Sequence, residues 1–241
     1  MYKRIILKLS GETLAPEKIT GEKNESRTFD GARVERAAGT IIRLHQLGVQ
    51  VGVVMGGGNI WRGRFSDSMD PVAADQMGML ATIINALAVQ EAICRLGDKA
   101  TVFTAQEMTR FAELYRADRA VECMERGEIV LLAGGTGNPF FTTDTGAALR
   151  AAELKADAVF KGTTVEGVFD SDPRKNPDAK LLKKLTYQEA IDRGLGVMDL
   201  TAFMLCMERG VPELRVFSMD DLDNIIRVAK GEDLGSTLTR E

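Results

Sequence analysis

The chain has 241 residues, 44% of them hydrophobic, so it can bury a substantial core and sits near the upper end of a single α/β domain. Its 31 basic and 35 acidic residues leave a net charge of -4, which gives no footing for a nucleic acid or a membrane surface; any bound anion must be held locally. Cys94, Cys123 and Cys206 are widely spaced, with no C-x-x-C, which argues against a disulfide framework or a zinc site and suits a reducing cytoplasm.

The opening apolar run, residues 1–9, is too short for a signal sequence or a membrane span and predicts a buried strand; no later segment is expected to span a membrane. Strands are predicted at residues 4–9, 49–55, 100–103, 129–132, 158–161 and 214–217. Residues 17–27 carry six charges and almost nothing apolar, which predicts a mobile surface loop. The Asn24-Glu25-Ser26 sequon inside it is discarded, because such triplets occur by chance. Asp30 is the expected N-cap of a helix running to Leu47, with Gly48 as its stop. Asp75 is expected to open a long apolar segment at residues 77–96, either central core or a subunit interface. Residues 171–184, with Pro173 and Pro177, read as a flap over a nucleotide.

Strands alternating with helix-length segments predict a mainly parallel sheet covered on both faces, with its ligand site beyond the carboxyl ends of the strands. Three turns should meet there: Lys8-Leu9-Ser10-Gly11, Gly56-Gly57-Gly58-Asn59 and Gly134-Gly135-Thr136-Gly137. Together they make a phosphate site.

Familiar signatures are missing: there is no G-x-x-x-x-G-K-[ST], no G-x-G-x-x-G, no D-F-G and no H-R-D. His45 is the only histidine, mid-helix among apolar neighbours, which excludes dihistidine metal sites and most Ser-His-Asp hydrolases. Chemistry without a histidine remains. A phosphate acceptor is already anionic at neutral pH, so its phosphorylation needs no general base, only positioning and charge neutralisation.

Lys8 ends a buried strand, an odd place for an ammonium unless it emerges into a site; a lysine snorkelling at a strand edge has the same local sequence. Arg62, one turn beyond the glycine triplet in Trp61-Arg62-Gly63, favours phosphate contact there. Thr136, Gly137, Asn138, Pro139, Phe140, Phe141, Thr142, Thr143 and Asp144 join hydroxyls, an amide, two aromatics and a carboxylate ahead of a helix expected at Thr145, for which Asp144 could be an ordinary N-cap. Asp199, among apolar neighbours, is either an N-cap or a carboxylate needing a buried partner such as a lysine.

These motifs, with Asp75-Gln76-Met77-Gly78-Met79-Leu80-Ala81-Thr82, resemble the bacterial UMP kinases of the amino acid kinase family along nearly the whole chain, to the closing Gly235-Ser236-Thr237-Leu238. The resemblance implies a three-layer αβα sandwich around a large, mainly parallel sheet in a single domain, with the acceptor in a lobe of residues 1–155 and ATP in a lobe of residues 156–241. It implies ATP-dependent phosphorylation of UMP to UDP in pyrimidine biosynthesis. Lys8, Leu9, Ser10, Gly11, Gly58 and Arg62 would serve the ATP phosphates, and Thr163, Phe169 and Asp172 adenine and its ribose. Gly57, Asp75 and residues 136–143 would hold UMP. Lys8, Asp144 and Asp199 would be catalytic, with Mg2+ entering on the ATP phosphates and reaching Asp144. A cytoplasmic hexamer built from dimers is implied, with UTP as feedback inhibitor and GTP as activator; the charged loop at 17–27 departs from the glycine-bearing loop of relatives and bears on GTP. The competing readings are a kinase of the same fold acting on an acylamino acid, a carbamate or isopentenyl phosphate, and a non-catalytic nucleotide or anion store.

Overall fold

In the computed structural model, residues 2–16, 28–62 and 69–240 are described; the loop expected at 17–27, and Gly63, lie outside them. The strands are β1 (Arg4–Leu9), β2 (Gln50–Met55), β3 (Ala100–Thr104), β4 (Glu113–Leu114), β5 (Ile129–Ala133), β6 (Ala158–Thr163), β7 (Lys184–Thr186), β8 (Glu213–Ser218) and β9 (Ser236–Thr239). The helices are α1 (Gly31–His45), α2 (Pro71–Arg95), α3 (Ala117–Glu125), α4 (Thr143–Glu153), α5 (Tyr187–Asp192), α6 (Leu200–Arg209) and α7 (Asn224–Ala229). All nine strands join one sheet in the order β4-β3-β5-β2-β1-β6-β8-β9-β7, parallel except for the β8–β9 pair.

The near-continuous apolar sequences of the central strands follow from burial on both faces. Alternation along β1 sorts the layers. Ile5, Leu7 and Leu9 face a core shared with α1, α2 and α7, while Ile6 faces the second core with α3, α4, α5 and α6. This is the expected three-layer αβα sandwich. Lys8 continues the face of Ile6, toward α4.

The chain leaves β1 toward β2 on one side and reaches β6 on the other, so the strand order switches direction at β1. In open α/β sheets a ligand crevice lies outside the carboxyl ends of the strands at such a point.

Several sequence expectations need correction. α2 begins at Pro71, not at Asp75, because Asp70 accepts from Ala73 N at 3.1 Å and proline fits the first helical position, whose N–H has no helical partner. Asp75 therefore sits inside the helix, and the turn after β2 does not lead straight into a helix. α4 begins at Thr143 with Thr142 as its N-cap, so Asp144 is not the cap. α1 ends at His45, whose Nδ1 lies 3.0 Å from Asp98 Oδ2, a structural contact. Contrary to the expectation that no later segment approaches a membrane span, α2 is long and apolar enough by length and composition. Its Ala81, Ile83, Ala86, Val89, Ala92 and Ile93 pack within the protein core instead.

Candidate functional site

Lys8 and Lys161 are Cα partners on the parallel strands β1 and β6, so their side chains leave the same face of the sheet side by side. Both reach Asp144 in the first turn of α4. Lys8 Nζ lies 3.0 Å from Asp144 Oδ1, and Lys161 donates to Asp144 Oδ2. Only 8% of the Lys161 side chain and 14% of each of the other two are exposed, so these charges interact with little screening. Burial alone would raise the Asp144 pKa, but Lys8 and Lys161 outweigh it and hold the carboxyl below the usual aspartate range. Burial depresses the Lys161 ammonium, with Asp144 opposing the shift and Lys8 adding to it.

Lys161 was missed in the sequence, where it reads as the end of an apolar strand. The signal that singled out Lys8, one lysine closing a buried strand, was there to be read.

Beside this group opens a cleft of about 520 Å³, lined among others by Lys8, Ser10, Gly11, Gly57, Gly58, Arg62, Asp75, Phe140, Phe141, Thr142 and Thr143. The turns after β1 and β2 are locked together beneath it. Asn85, fully buried on α2, donates to Gly56 O at 2.6 Å and to Asn59 Oδ1 at 2.7 Å, while Asn59 donates back to Asn85 Oδ1 at 3.1 Å. A side chain at Gly11 would place Cβ 2.2 Å from Asn59 Oδ1 and 2.7 Å from Gly56 O. At Gly57 it would meet Ala81 Cβ at 2.8 Å and Gly78 O at 2.9 Å. Glycine is thus required at both positions by close approach to packed neighbours. Arg62 donates through Nε to Gly58 O at 3.0 Å and pairs with Glu12.

The opposite wall is the loop from β5 to α4. Phe140 has φ +71°, an outlier for a bulky residue, and its N–H donates to Asp75 Oδ2 at 2.7 Å. Phe140 is 71% exposed beside the cleft. Thr142 accepts from Asp144 N at 3.0 Å, so the amino end of α4, with its positive dipole, opens on the cleft. Asp199 caps α6, accepting from Ala202 N at 2.8 Å. It also accepts from Thr145 Oγ1 at 2.9 Å and from Thr142 Oγ1. Its direct partners are hydroxyls and an amide, not a lysine, so it ties α6 to the turn that presents Asp144.

Thr136, Gly137, Asn138 and Pro139 lie in the same loop but outside the cleft lining. Thr163 Oγ1 donates to Val165 O at the end of β6, Phe169 pairs with Leu181 as an isolated bridge, and Asp172 accepts from Arg174 N at 3.0 Å. These three stand on the β6 side, apart from the cleft.

Among the described residues no cluster of three acidic, histidine or cysteine side chains could hold a metal. Asp144 Oδ1 is buried without an aligned hydrogen-bond donor, and its contact with Lys8 is ionic, so it retains acceptor capacity. This donor set fits a magnesium ion carried mainly by phosphates.

Residues 3–218 match the family model described as the amino acid kinase family. The chain is 48% identical over 239 residues to a uridylate kinase of Bacteroides thetaiotaomicron, with 98% of each chain covered. Its structure resembles the crystal structure of UMP kinase from Bacillus anthracis with a TM-score of 0.92 at 36% identity, covering 100% of this chain and 97% of that one. It also resembles UMP kinase from Ureaplasma parvum, with a TM-score of 0.89 at 34% identity and 99% of each chain covered.

Proposed function

The chain belongs to the amino acid kinase family and, within it, to the uridylate kinases; from that premise we propose that it transfers the γ-phosphoryl group of ATP to the phosphate of UMP, giving ADP and UDP. The observation that carries this reading is the pair Lys8 and Lys161 closed on Asp144 at the edge of a glycine-floored cleft.

A phosphate oxygen of UMP attacks the γ-phosphorus, and the bond from that phosphorus to the β–γ bridging oxygen breaks, leaving ADP. The attacking oxygen needs no base. Catalysis therefore rests on position and charge. Lys8 and Lys161 supply two cations to the migrating group, and Asp144 fixes their spacing. Gly58, where a side chain would meet only the end of Arg62, lets backbone approach the phosphates, Gly11 and Gly57 keep the turns beneath close-packed, and the amino end of α4 faces the acceptor phosphate. Asp75 and the loop at 136–143 take the uridine; Thr163, Phe169 and Asp172 take adenosine. Asp144, through its unpartnered Oδ1, would help hold a magnesium ion arriving with ATP, and such an ion would supply neutralisation of phosphate charge.

We extend the proposal to UTP as a feedback inhibitor, since it shares the uridine of the acceptor, to GTP as an activator, and to a cytoplasmic role in pyrimidine nucleotide synthesis. The exposed side chains of Met77, Leu80 and Ile84, at helical spacing on α2, support contact between subunits of a hexamer. ADP release in the presence of magnesium, compared for UMP, an acylamino acid, a carbamate and isopentenyl phosphate, tests the reading. Turnover with one of the others and none with UMP would replace it.

A further inference from the structure

Arg150 is 6% exposed, on the side of α4 away from the solvent, and nothing in the transfer chemistry uses it. A buried guanidinium is costly unless its donors are satisfied. Here Nη1 donates to Glu153 Oε2 at 2.7 Å, Nη2 donates to Gly135 O at 3.3 Å, and Cζ lies 3.8 Å from the centre of the Tyr115 ring. Tyr115 in turn donates its hydroxyl to Glu153 Oε2 at 2.8 Å. Glu153 and Tyr115 thus hold one planar fork, and its remaining arm ends on the acceptor loop.

That arm meets a glycine-rich segment held at its flanks, where Gly134 N donates to Thr82 Oγ1 at 2.8 Å and Gln106 Nε2 donates to Gly137 O at 3.1 Å. Gly134, Gly135 and Gly137 have φ of +77°, +61° and +88°, and Gly135 lines the cleft. Glycine reaches such angles freely, so outside contacts select the conformation, and the one on the Gly135 carbonyl is Arg150. The peptide between Gly135 and Thr136 is trans, so pulling its carbonyl toward Arg150 points the Thr136 N–H the opposite way. No hydrogen-bond acceptor for that N–H is found among the described residues.

We propose that Arg150 is a positioning residue for the acceptor nucleotide: it orients the Gly135–Thr136 peptide and so fixes the wall against which UMP binds. The proposal rests on the acceptor assignment given above. It separates the two substrates, because Arg150 touches the β5–α4 loop and not the turns after β1 or β6.

The test is calorimetric binding of UMP, with steady-state KM for UMP and ATP, on the wild-type chain and on Arg150→Lys. Lysine keeps the charge opposite Glu153 but has no rigid fork to hold the carbonyl as well. The expected result is UMP binding weakened about tenfold or more, the loss of one charge-assisted hydrogen bond, with KM for ATP unchanged. Arg150→Met, checked for folding by circular dichroism, should show the same split with a larger loss. A folded Arg150→Lys with wild-type UMP affinity, or an equal rise in both KM values, overturns the proposal alone. A wild-type chain that binds no UMP overturns the acceptor assignment and the proposal with it.

Discussion

Lys8 and Lys161 stand directly abreast on neighbouring parallel strands and share one carboxylate, Asp144, between their ammonium groups. Two like charges that close in a largely dry setting repel, and only Asp144 makes the arrangement tolerable. A triphosphate entering the cleft meets a cationic pair already held in place.

Lys161→Met should therefore lower kcat about as much as Lys8→Met, by roughly 10²- to 10³-fold, the scale for removing one preorganised transition-state contact. Asp144 keeps Lys8 as its partner in this variant, so folding should survive. Steady-state kinetics with a thermal melt on the same sample check this. Near-normal turnover would remove Lys161 from the site.

The acid limb of stability follows from Asp144. Lys8 and Lys161 overcome burial and hold its folded pKa below the unfolded value of about 3.9. Its contribution is then fully present above about pH 4 and fades as pH falls through the folded pKa. The stability gap between wild type and Asp144→Asn, from denaturant unfolding, should hold steady near neutrality and narrow below about pH 4. A gap that widens on acidification would contradict the pairing.

Lys161 has the opposite consequence at high pH. Burial depresses its folded pKa below the unfolded value of about 10.4, so its charged form costs stability that is regained as pH rises through the folded pKa. The kcat/KM for ATP, which reports the free enzyme and needs the cation, should fall on an alkaline limb centred below that of an ordinary lysine. A kcat/KM profile flat beyond that point would argue against a catalytic ammonium.

The amide pair of Asn85 and Asn59 ties α2 to the glycine turn after β2, against which Gly11 of the turn after β1 packs closely. Asn85→Leu leaves the buried Gly56 O without its donor and removes one of the two partners of the Asn59 amide, a loss of about 1–3 kcal/mol in unfolding free energy. Because Gly56 precedes the cleft-lining Gly57 and Gly58, turnover at substrate saturation should fall as well. Chemical denaturation and kcat together decide it; a stability loss with intact kcat would confine the pair to a structural role.

Much of this was legible in the sequence for physical reasons. Each central strand shows its apolar run because both faces are buried, and the glycine triplet at 56–58 and Lys8 announce a site at the strand ends, although packing against Ala81 and Gly78 by itself requires glycine at 57. Lys161 escaped because one lysine at the end of Ala158–Thr163 reads as a strand boundary until β6 is known to lie beside β1. The partners of Asp199 were equally hidden, since Thr142 and Thr145 lie more than fifty residues away on another helix. The start of α2 was misread for a local reason: Asp70-Pro71 is a cap signal, but the apolar pattern after Asp75 drew the boundary later. The short edge strands β4 and β7 carry too few residues to show a period of two.

The central claim is transfer from ATP to the phosphate of UMP at the lysine pair, and single-turnover reaction of γ-labelled ATP with UMP, by the wild-type chain and by Lys8→Met, tests it most directly. The account predicts label in the β-phosphate of UDP for the wild type, and for Lys8→Met label formed at least about 10²-fold more slowly while UMP still binds. No labelled UDP from the wild-type chain, or UDP formed at a near-normal rate by Lys8→Met, would contradict it.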